Sequence, residues 1–287
     1  MKTIFVIGTC DTKNEELVFL SNIIKENGLD TKIIDVSTKP NMIKCDVSNE
    51  QIAEFFQEGK ENIFNCKTRG EAIENMSNAL EKYFAKIHEV SGVIAIGGSG
   101  GTSLITPMMQ QLPIGCPKIM VSTVASGDIS SYVGSSDIMM MYSVVDFASM
   151  NSIMEKILTN AGNAISEMVK KQKRTFLKKT KKSLGITMFG VTTPCVEKIT
   201  KKLEKQYECF VFHATGSGGK SFEKLVDSDL LEAVLDITTT EVCDLLMEGV
   251  FPCSKKRLDV FSRKKIPYFG SVGAIDMVNF GEIDTVP

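Results

Sequence analysis

The sequence predicts an α/β protein made of two Rossmann-like, doubly wound domains with mainly parallel sheets. Short apolar runs alternate with amphipathic helical stretches along the whole chain, which is the pattern of βαβ units. Most of these runs end in a polar or glycine-rich turn, as strands of a doubly wound sheet do where a helix follows. The 287 residues fit about two ordinary domains.

The first half begins with a strand, a helix and a second strand. Thr12 and Glu15 have the spacing of a capping box for that helix, and Gly28 suits its end. Pro107 predicts that a later helix either kinks there or starts near Thr106. The predicted strands are residues 3–7, 31–36, 93–96, 118–122 and 138–145, and the predicted helical stretches are residues 48–90 and 151–169.

The stretch of residues 170–182 is rich in Lys and Arg and marks a domain boundary. We interpret it as a solvated helix end and linker, with a nucleic-acid patch as the alternative. It separates a nucleotide-binding domain, residues 1–178, from a second Rossmann-like domain, residues 182–287. Strands are predicted there at residues 184–189, 209–213, 234–237 and 266–270, and Pro194 suits the first position of a helix.

Composition excludes several classes of protein. A net charge of -2 argues against a nucleic acid as the main partner. No secretion signal or long apolar stretch is visible, so a cytoplasmic protein that does not cross a membrane is expected. The 8 cysteines lack C-x-x-C spacing and there are only 2 histidines, so no metal site is predicted.

Three polar turns of the first domain are expected to meet at one edge of the sheet: residues 8–13, 35–38 and 97–102. The last of these has four glycines in six residues, which would let backbone N–H groups approach a phosphate. Lys13 would neutralise phosphate charge and Asp11 would hold a Mg²⁺-bound water. The alternative is a tight turn that only lets helix and strand pack. The candidate nucleotide-binding residues are Gly8, Thr9, Cys10, Asp11, Thr12, Lys13, Ser37, Thr38, Gly97, Gly98, Ser99, Gly100, Gly101 and Thr102.

Other motifs suggest rival chemistry. Residues 97–101 match G-x-S-x-G, which would make Ser99 a hydrolase nucleophile with His213 as its base. Residues 214–221 resemble a P-loop but have Ala214 in the first glycine position. A second site for a small anionic ligand is therefore conceivable, with a structural cluster as the alternative; its candidate residues are His213, Gly216, Gly218, Gly219, Thr239 and Glu241.

At these motifs the sequence resembles the Tm-one-like ATP-binding family, which takes its name from a tomato mosaic virus resistance protein. The resemblance covers almost the whole chain in order. It is carried by G-T-C-D-T-K at residues 8–13, G-G-S-G-G-T at 97–102, V-S-T-V-A-S-G-D at 121–128, S-V-V-D at 143–146, T-M-F-G-V-T-T-P-C-V at 187–196, F-H-A-T-G-S-G-G at 212–219, D-I-T-T-T-E at 236–241 and G-A-I-D-M-V-N-F-G at 273–281.

This resemblance implies two Rossmann-like domains with ATP held in the first. The implied contacts are Thr9, Cys10, Asp11, Ser37 or Thr38, Gly97, Gly98, Ser99 and Gly100. Family members continue past the point where this chain stops, so the resemblance implies that the C-terminal part of the second domain is missing. A sheet edge left open in that way favours a homo-oligomer.

The sequence therefore predicts an ATP-binding protein of unassigned activity, with Mg²⁺ as an accompanying ion. Its expected partners are an adenine nucleotide and further copies of itself. No catalytic residue is assigned. The alternatives are an enzyme, using Ser99 or the His213 cluster, and a regulatory or interaction module that is ordered by nucleotide.

Overall fold

The computed structural model describes residues 2–172 and 180–286. The chain divides into two compact units, Met1–Arg174 and Thr175–Pro287. Most of the basic stretch lies outside the described residues, so its two interpretations stay predictions. Within the described ranges, no helix combines the length and the apolar character needed to cross a membrane.

The first unit is a five-stranded sheet in which every neighbouring pair is parallel, with the strand order β2-β1-β3-β4-β5. This confirms the predicted doubly wound architecture. Its strands are β1 (Thr3–Gly8), β2 (Asp30–Asp35), β3 (Gly92–Gly97), β4 (Lys118–Ser122) and β5 (Met139–Tyr142). Its helices are α1 (Cys10–Glu26), α2 (Asn49–Ala53), α3 (Glu61–Phe64), α4 (Arg69–Phe84), α5 (Ser99–Gln111), α6 (Ser130–Val133) and α7 (Ser152–Lys171).

Successive side chains of the central strands pack alternately into two hydrophobic cores, one on each face of the sheet. Phe5 and Ile7 of β1 pack into the core that α2 to α5 cover, whereas Ile4 and Val6 pack into the core under α1 and α7. A strand that is buried on both faces has a continuous run of apolar residues, and both β1 and β3 have such a run. The strand order reverses between β1 and β3, which makes their carboxyl ends the expected place for a ligand.

The second unit repeats this plan with four parallel strands in the order β7-β6-β8-β9. Its strands are β6 (Lys182–Met188), β7 (Tyr207–His213), β8 (Ala233–Thr238) and β9 (Tyr268–Gly273), and its helices are α8 (Thr193–Leu203), α9 (Ser217–Asp227), α10 (Thr240–Met247) and α11 (Asp259–Lys264). Pro194 lies in the first turn of α8, one residue after the first position that the sequence predicted. Phe269 and Val272 of β9 are exposed; self-association through this edge stays a prediction.

Several predicted boundaries were wrong. Residues 48–90 form three separate helices, α2 to α4, and α5 begins at Ser99 with Pro107 inside it. Thr9, not Thr12, precedes α1, and its carbonyl accepts the N–H groups of Thr12 and Lys13. Asp35 binds the N–H of Cys10, so the helix starts three residues earlier than the capping-box spacing predicts, with a break in helical geometry at Lys13.

Candidate functional site

A cleft of about 750 Å³ opens in the first unit where the strand order reverses. It brings together the turn after β1, the end of β2 and the glycine run after β3, as predicted. It also includes the start of α4 and two residues that follow β5, which the sequence did not indicate. Its lining consists of Thr9, Asp11, Thr12, Lys13, Thr38, Lys39, Ile63, Phe64, Cys66, Lys67, Thr68, Arg69, Ala72, Ile73, Gly98, Ser99, Gly100, Gly101, Leu104, Thr123, Asp146 and Phe147.

The glycine run forms the end of β3 and the first turn of α5. Gly98 precedes the helix and has no side chain to cap it. The first N–H group bonded back into the helix is that of Thr102, which donates to the Gly98 carbonyl over 2.9 Å. The N–H groups of Ser99, Gly100 and Gly101 come before that bond and lie at the positive end of the helix dipole. This terminus is therefore suited to an anion.

The start of α1 is different, because the protein's own side chains satisfy it. Asp35 is fully buried and accepts the N–H of Cys10 over 2.9 Å and the hydroxyl of Ser37 over 2.5 Å. Ser37 in turn accepts the N–H of Asp11 over 3.1 Å. Cys10 and Ser37 are thus buried behind the cleft wall, where they orient the turn between β1 and α1.

The glycines of the predicted site have different roles. A Cβ atom on Gly8 would lie 3.0 Å from Leu17, and one on Gly97 would lie 3.0 Å from the Cα of Gly101, so packing explains both glycines. Gly98 is not explained in that way, since the nearest atom to a Cβ there is Thr123 Oγ1 at 3.7 Å. Its φ of -79° is open to any residue. The absence of a side chain at Gly98 keeps the cleft open.

Thr102 is buried beneath the cleft, where its hydroxyl lies 2.6 Å from Ser122 Oγ. It holds α5 against β4 and does not line the cleft. Thr9, Asp11, Thr12, Lys13, Thr38, Gly98, Ser99, Gly100 and Gly101 do line it.

The cleft carries more positive than negative side chains. Four cations line it, Lys13, Lys39, Lys67 and Arg69, against the two carboxylates of Asp11 and Asp146. Arg69 is the first residue of α4. The capping-box spacing of Thr68 and Glu71 could have located the start of that helix, because Thr68 Oγ1 does accept the Glu71 N–H over 3.3 Å. The whole chain has a net charge of -2, so the positive cleft is a local feature.

Asp146 reaches the cleft from a tight turn after β5. Val144 has a φ of +61°, which is unusual for a β-branched residue, and the Val145 N–H donates to the Ser143 carbonyl over 2.6 Å. Asp146 Oδ1 accepts the N–H of Phe147 over 2.8 Å. In the part of the chain that the structure describes, no three His, Cys, Asp or Glu side chains are grouped as metal ligands.

Ser99, the candidate nucleophile, is the first residue of α5 and is exposed. A serine nucleophile needs a base within hydrogen-bonding distance, yet none of the described residues that line the cleft is a histidine. In the first unit, His88 follows α4 at the end opposite to Arg69. The geometry of the first unit therefore gives the hydrolase alternative no support.

In the second unit the P-loop-like turn already holds an anion, the side chain of Glu241. Glu241 Oε1 accepts the N–H of Gly216 over 2.6 Å and that of Gly219 over 3.1 Å. A Cβ atom on Gly219 would collide with this carboxylate. Gly216 is in the left-handed region, with a φ of +74°. The turn therefore binds a carboxyl group of the chain itself, and an external ligand there stays a prediction.

The remaining candidates of the second site are also held by internal contacts. A Cβ atom on Gly218 would overlap the His213 carbonyl oxygen, and Thr239 Oγ1 donates to the Ser271 carbonyl over 3.2 Å. The His213 ring is exposed and lies 5.0 Å from the Phe189 ring. This arrangement favours the structural cluster over a second ligand site.

Arg257 is the centre of a buried ionic cluster that the sequence did not indicate. It is 4% exposed and lies 3.1 Å from Asp236, 3.4 Å from Glu241 and 3.8 Å from Glu223. Burial raises the pKa of Glu223 to about 7, although the Arg257 charge opposes the shift. One guanidinium thus faces three carboxyl groups, one of which titrates near neutral pH.

Comparison with known proteins identifies relatives along the entire chain. The N-terminal domain of the uncharacterised protein family UPF0261 matches residues 2–174, and the C-terminal domain of that family matches residues 181–287. The second match gives no support to the expectation that the family's C-terminal part is missing. A glycosyltransferase of Streptomyces sp. SF2575, solved with thymidine diphosphate, covers 92% of this chain and 86% of its own, but with 12% identity and a TM-score of 0.22.

The sequence relatives are closer. UPF0261 proteins of Rhizobium meliloti and Clostridium tetani are 47% and 45% identical over 100% of this chain and 72% of their own lengths. The ToMV resistance protein Tm-1(GCR237) of Solanum lycopersicum is 42% identical over 99% of this chain and 41% of its own length. The chain belongs to the uncharacterised protein family UPF0261.

Proposed function

We propose that the chain is a nucleotide-binding protein that holds ATP in the cleft of the first unit. The observation that carries this proposal is a set of hydrogen-bond donors and positively charged side chains that face one cleft without a paired anion among the side chains that the structure describes. The open N–H groups of residues 99–101 and four cationic side chains face the same space, and no ion pair among the described residues involves any of those four. A phosphate chain supplies that charge.

The remaining walls of the cleft suit the rest of a nucleotide. Ile63, Phe64, Ile73 and Leu104 provide apolar surface on the side of α3 to α5, which fits the flat, apolar faces of a base. Asp11 and Asp146 are exposed carboxylates at the same cleft. They would bind water molecules of a Mg²⁺ ion that arrives with the phosphates. We propose binding alone and assign no reaction to this cleft.

Millimolar ATP with Mg²⁺ is expected to raise the melting temperature of the first unit. A ligand that binds only the folded state adds about 2.7 kcal/mol of stability at a hundredfold excess over its dissociation constant, which corresponds to a shift of several degrees. Differential scanning fluorimetry checks this, with sodium sulfate at equal ionic strength as the control. If no purine nucleotide produces a shift larger than that of sulfate, the proposal is wrong.

A further inference from the structure

Arg69 lies beside the first turn of α5, at Gly100. A Cβ atom on Gly100 would lie 3.3 Å from Arg69 Nη2 and 3.1 Å from Ile73 Cδ1. The first turn of α4 is therefore packed on the first turn of α5, with the guanidinium group beside Gly100. The glycine at position 100 leaves room for this approach.

This position is electrostatically unfavourable for an arginine unless an anion joins it. Arg69 occupies the first turn of its own helix, where the dipole is positive and only partly offset by Glu71 of that turn, and it lies at the positive end of α5 as well. The first turn of α5 contains no acidic residue. Throughout residues 2–172 and 180–286, no carboxylate forms an ion pair with Arg69. Lys67, two residues earlier, adds a further positive charge to the cleft.

We infer that Arg69 is a specificity-determining residue, which selects ligands with two or more linked phosphates. This inference rests on the proposed function. One phosphate would accept the N–H groups at the start of α5, and the next would accept the guanidinium of Arg69 in a bidentate contact. Affinity should then decrease from ATP and ADP to AMP and adenosine, and inorganic pyrophosphate should bind without a base.

The test is isothermal titration of the full chain with ATP, pyrophosphate and adenosine. Arg69→Ala should weaken ATP and pyrophosphate about tenfold or more, because it removes charge-assisted hydrogen bonds, and should leave adenosine unchanged. Arg69→Lys should restore part of the loss. Lys82→Ala is the matched control, since it removes a positive charge from the last turn of the same helix and should change none of the three affinities.

The outcomes separate the inference from the proposed function. Unchanged ATP affinity in Arg69→Ala would overturn the inference and leave the ATP site standing. An equal loss for adenosine would also overturn it, because Arg69 would then support the base or the shape of the cleft. If pyrophosphate binds through Arg69 but ATP does not bind, the ATP proposal fails and the selection for linked phosphates remains. Failure of both ligands to bind wild type would remove both proposals.

Discussion

Gly98→Val is expected to weaken ATP binding about a hundredfold, while the first unit stays within about 1 kcal/mol of wild-type stability. A Cβ atom at this position would touch only Thr123 Oγ1, at an ordinary 3.7 Å, and the backbone angles suit any residue. The fold therefore tolerates the side chain. Gly98 lines the cleft, so we expect the valine side chain to compete with the phosphates for space there, and losing two hydrogen bonds to phosphate would lower affinity about a hundredfold.

Gly97→Ala is the matched control for this prediction, because at this neighbouring glycine we expect a side chain to lower the stability of the fold and not to block the ligand. Its Cβ atom would lie 3.0 Å from the Cα of Gly101 and 3.2 Å from the Thr102 nitrogen. These are backbone atoms that cannot move aside cheaply, so a loss of about 1–3 kcal/mol is expected. Chemical denaturation and ATP titration of both variants check the contrast. Normal ATP binding by folded Gly98→Val would show that this glycine does not serve a ligand.

Arg257→Met should strongly destabilise the second unit near neutral pH. The substitution keeps much of the side-chain volume but leaves Asp236 and Glu241, each 1% exposed, without their cation. Removing one partner of a buried ion pair typically costs about 3–5 kcal/mol. Urea denaturation of the full chain, followed by a probe in the second unit, measures the loss. Arg263→Met is the control, because its ion pair with Asp227 is exposed and such pairs contribute less than about 1 kcal/mol.

The destabilisation by Arg257→Met should also depend on pH. Burial raises the pKa values of Glu223 and Glu241, and the Arg257 charge opposes both shifts. Without the guanidinium these folded-state pKa values rise further above their unfolded values, so stability is retained at low pH and lost as pH increases. Burial already shifts Glu223 in this direction, from 4.5 to about 7. The deficit of the variant should therefore be larger at pH 8 than at pH 5. An equal deficit at both values would mean that Arg257 acts through packing alone.

The sequence predicted the architecture and the edge where the cleft opens, because parallel strands leave a direct signal. Buried strands such as β3 appear as apolar runs, and their carboxyl ends carry the polar turns. It could not separate the packing role of Gly97 from the open position of Gly98, since that difference lies in what surrounds each Cα atom. Only the arrangement of α5 on β3 distinguishes them.

Residues that reach a site from distant elements were also missed. Arg69 lies within residues 48–90, which were predicted only as helical, so the start of α4 was not located although Thr68 and Glu71 have capping-box spacing there. Cys10 and Ser37 were assigned to the ligand because their turns converge and because the resemblance implies them; in the structure, buried Asp35 accepts the Cys10 N–H and the Ser37 hydroxyl. Both the P-loop-like turn and Glu241 were named as candidates for the second site, but the sequence did not show that Glu241, 25 residues after Gly216, binds to that turn itself.

The central claim is that phosphates bind at the open start of α5, and the backbone amides there report on it directly. In ¹⁵N-labelled full chain, addition of ATP with Mg²⁺ should shift the amide proton signals of Ser99, Gly100 and Gly101 downfield, as hydrogen bonds to phosphate form. The amide of Cys10 should move little, because Asp35 already binds it. Saturating ATP that leaves the signals of residues 99–101 unchanged would contradict the account.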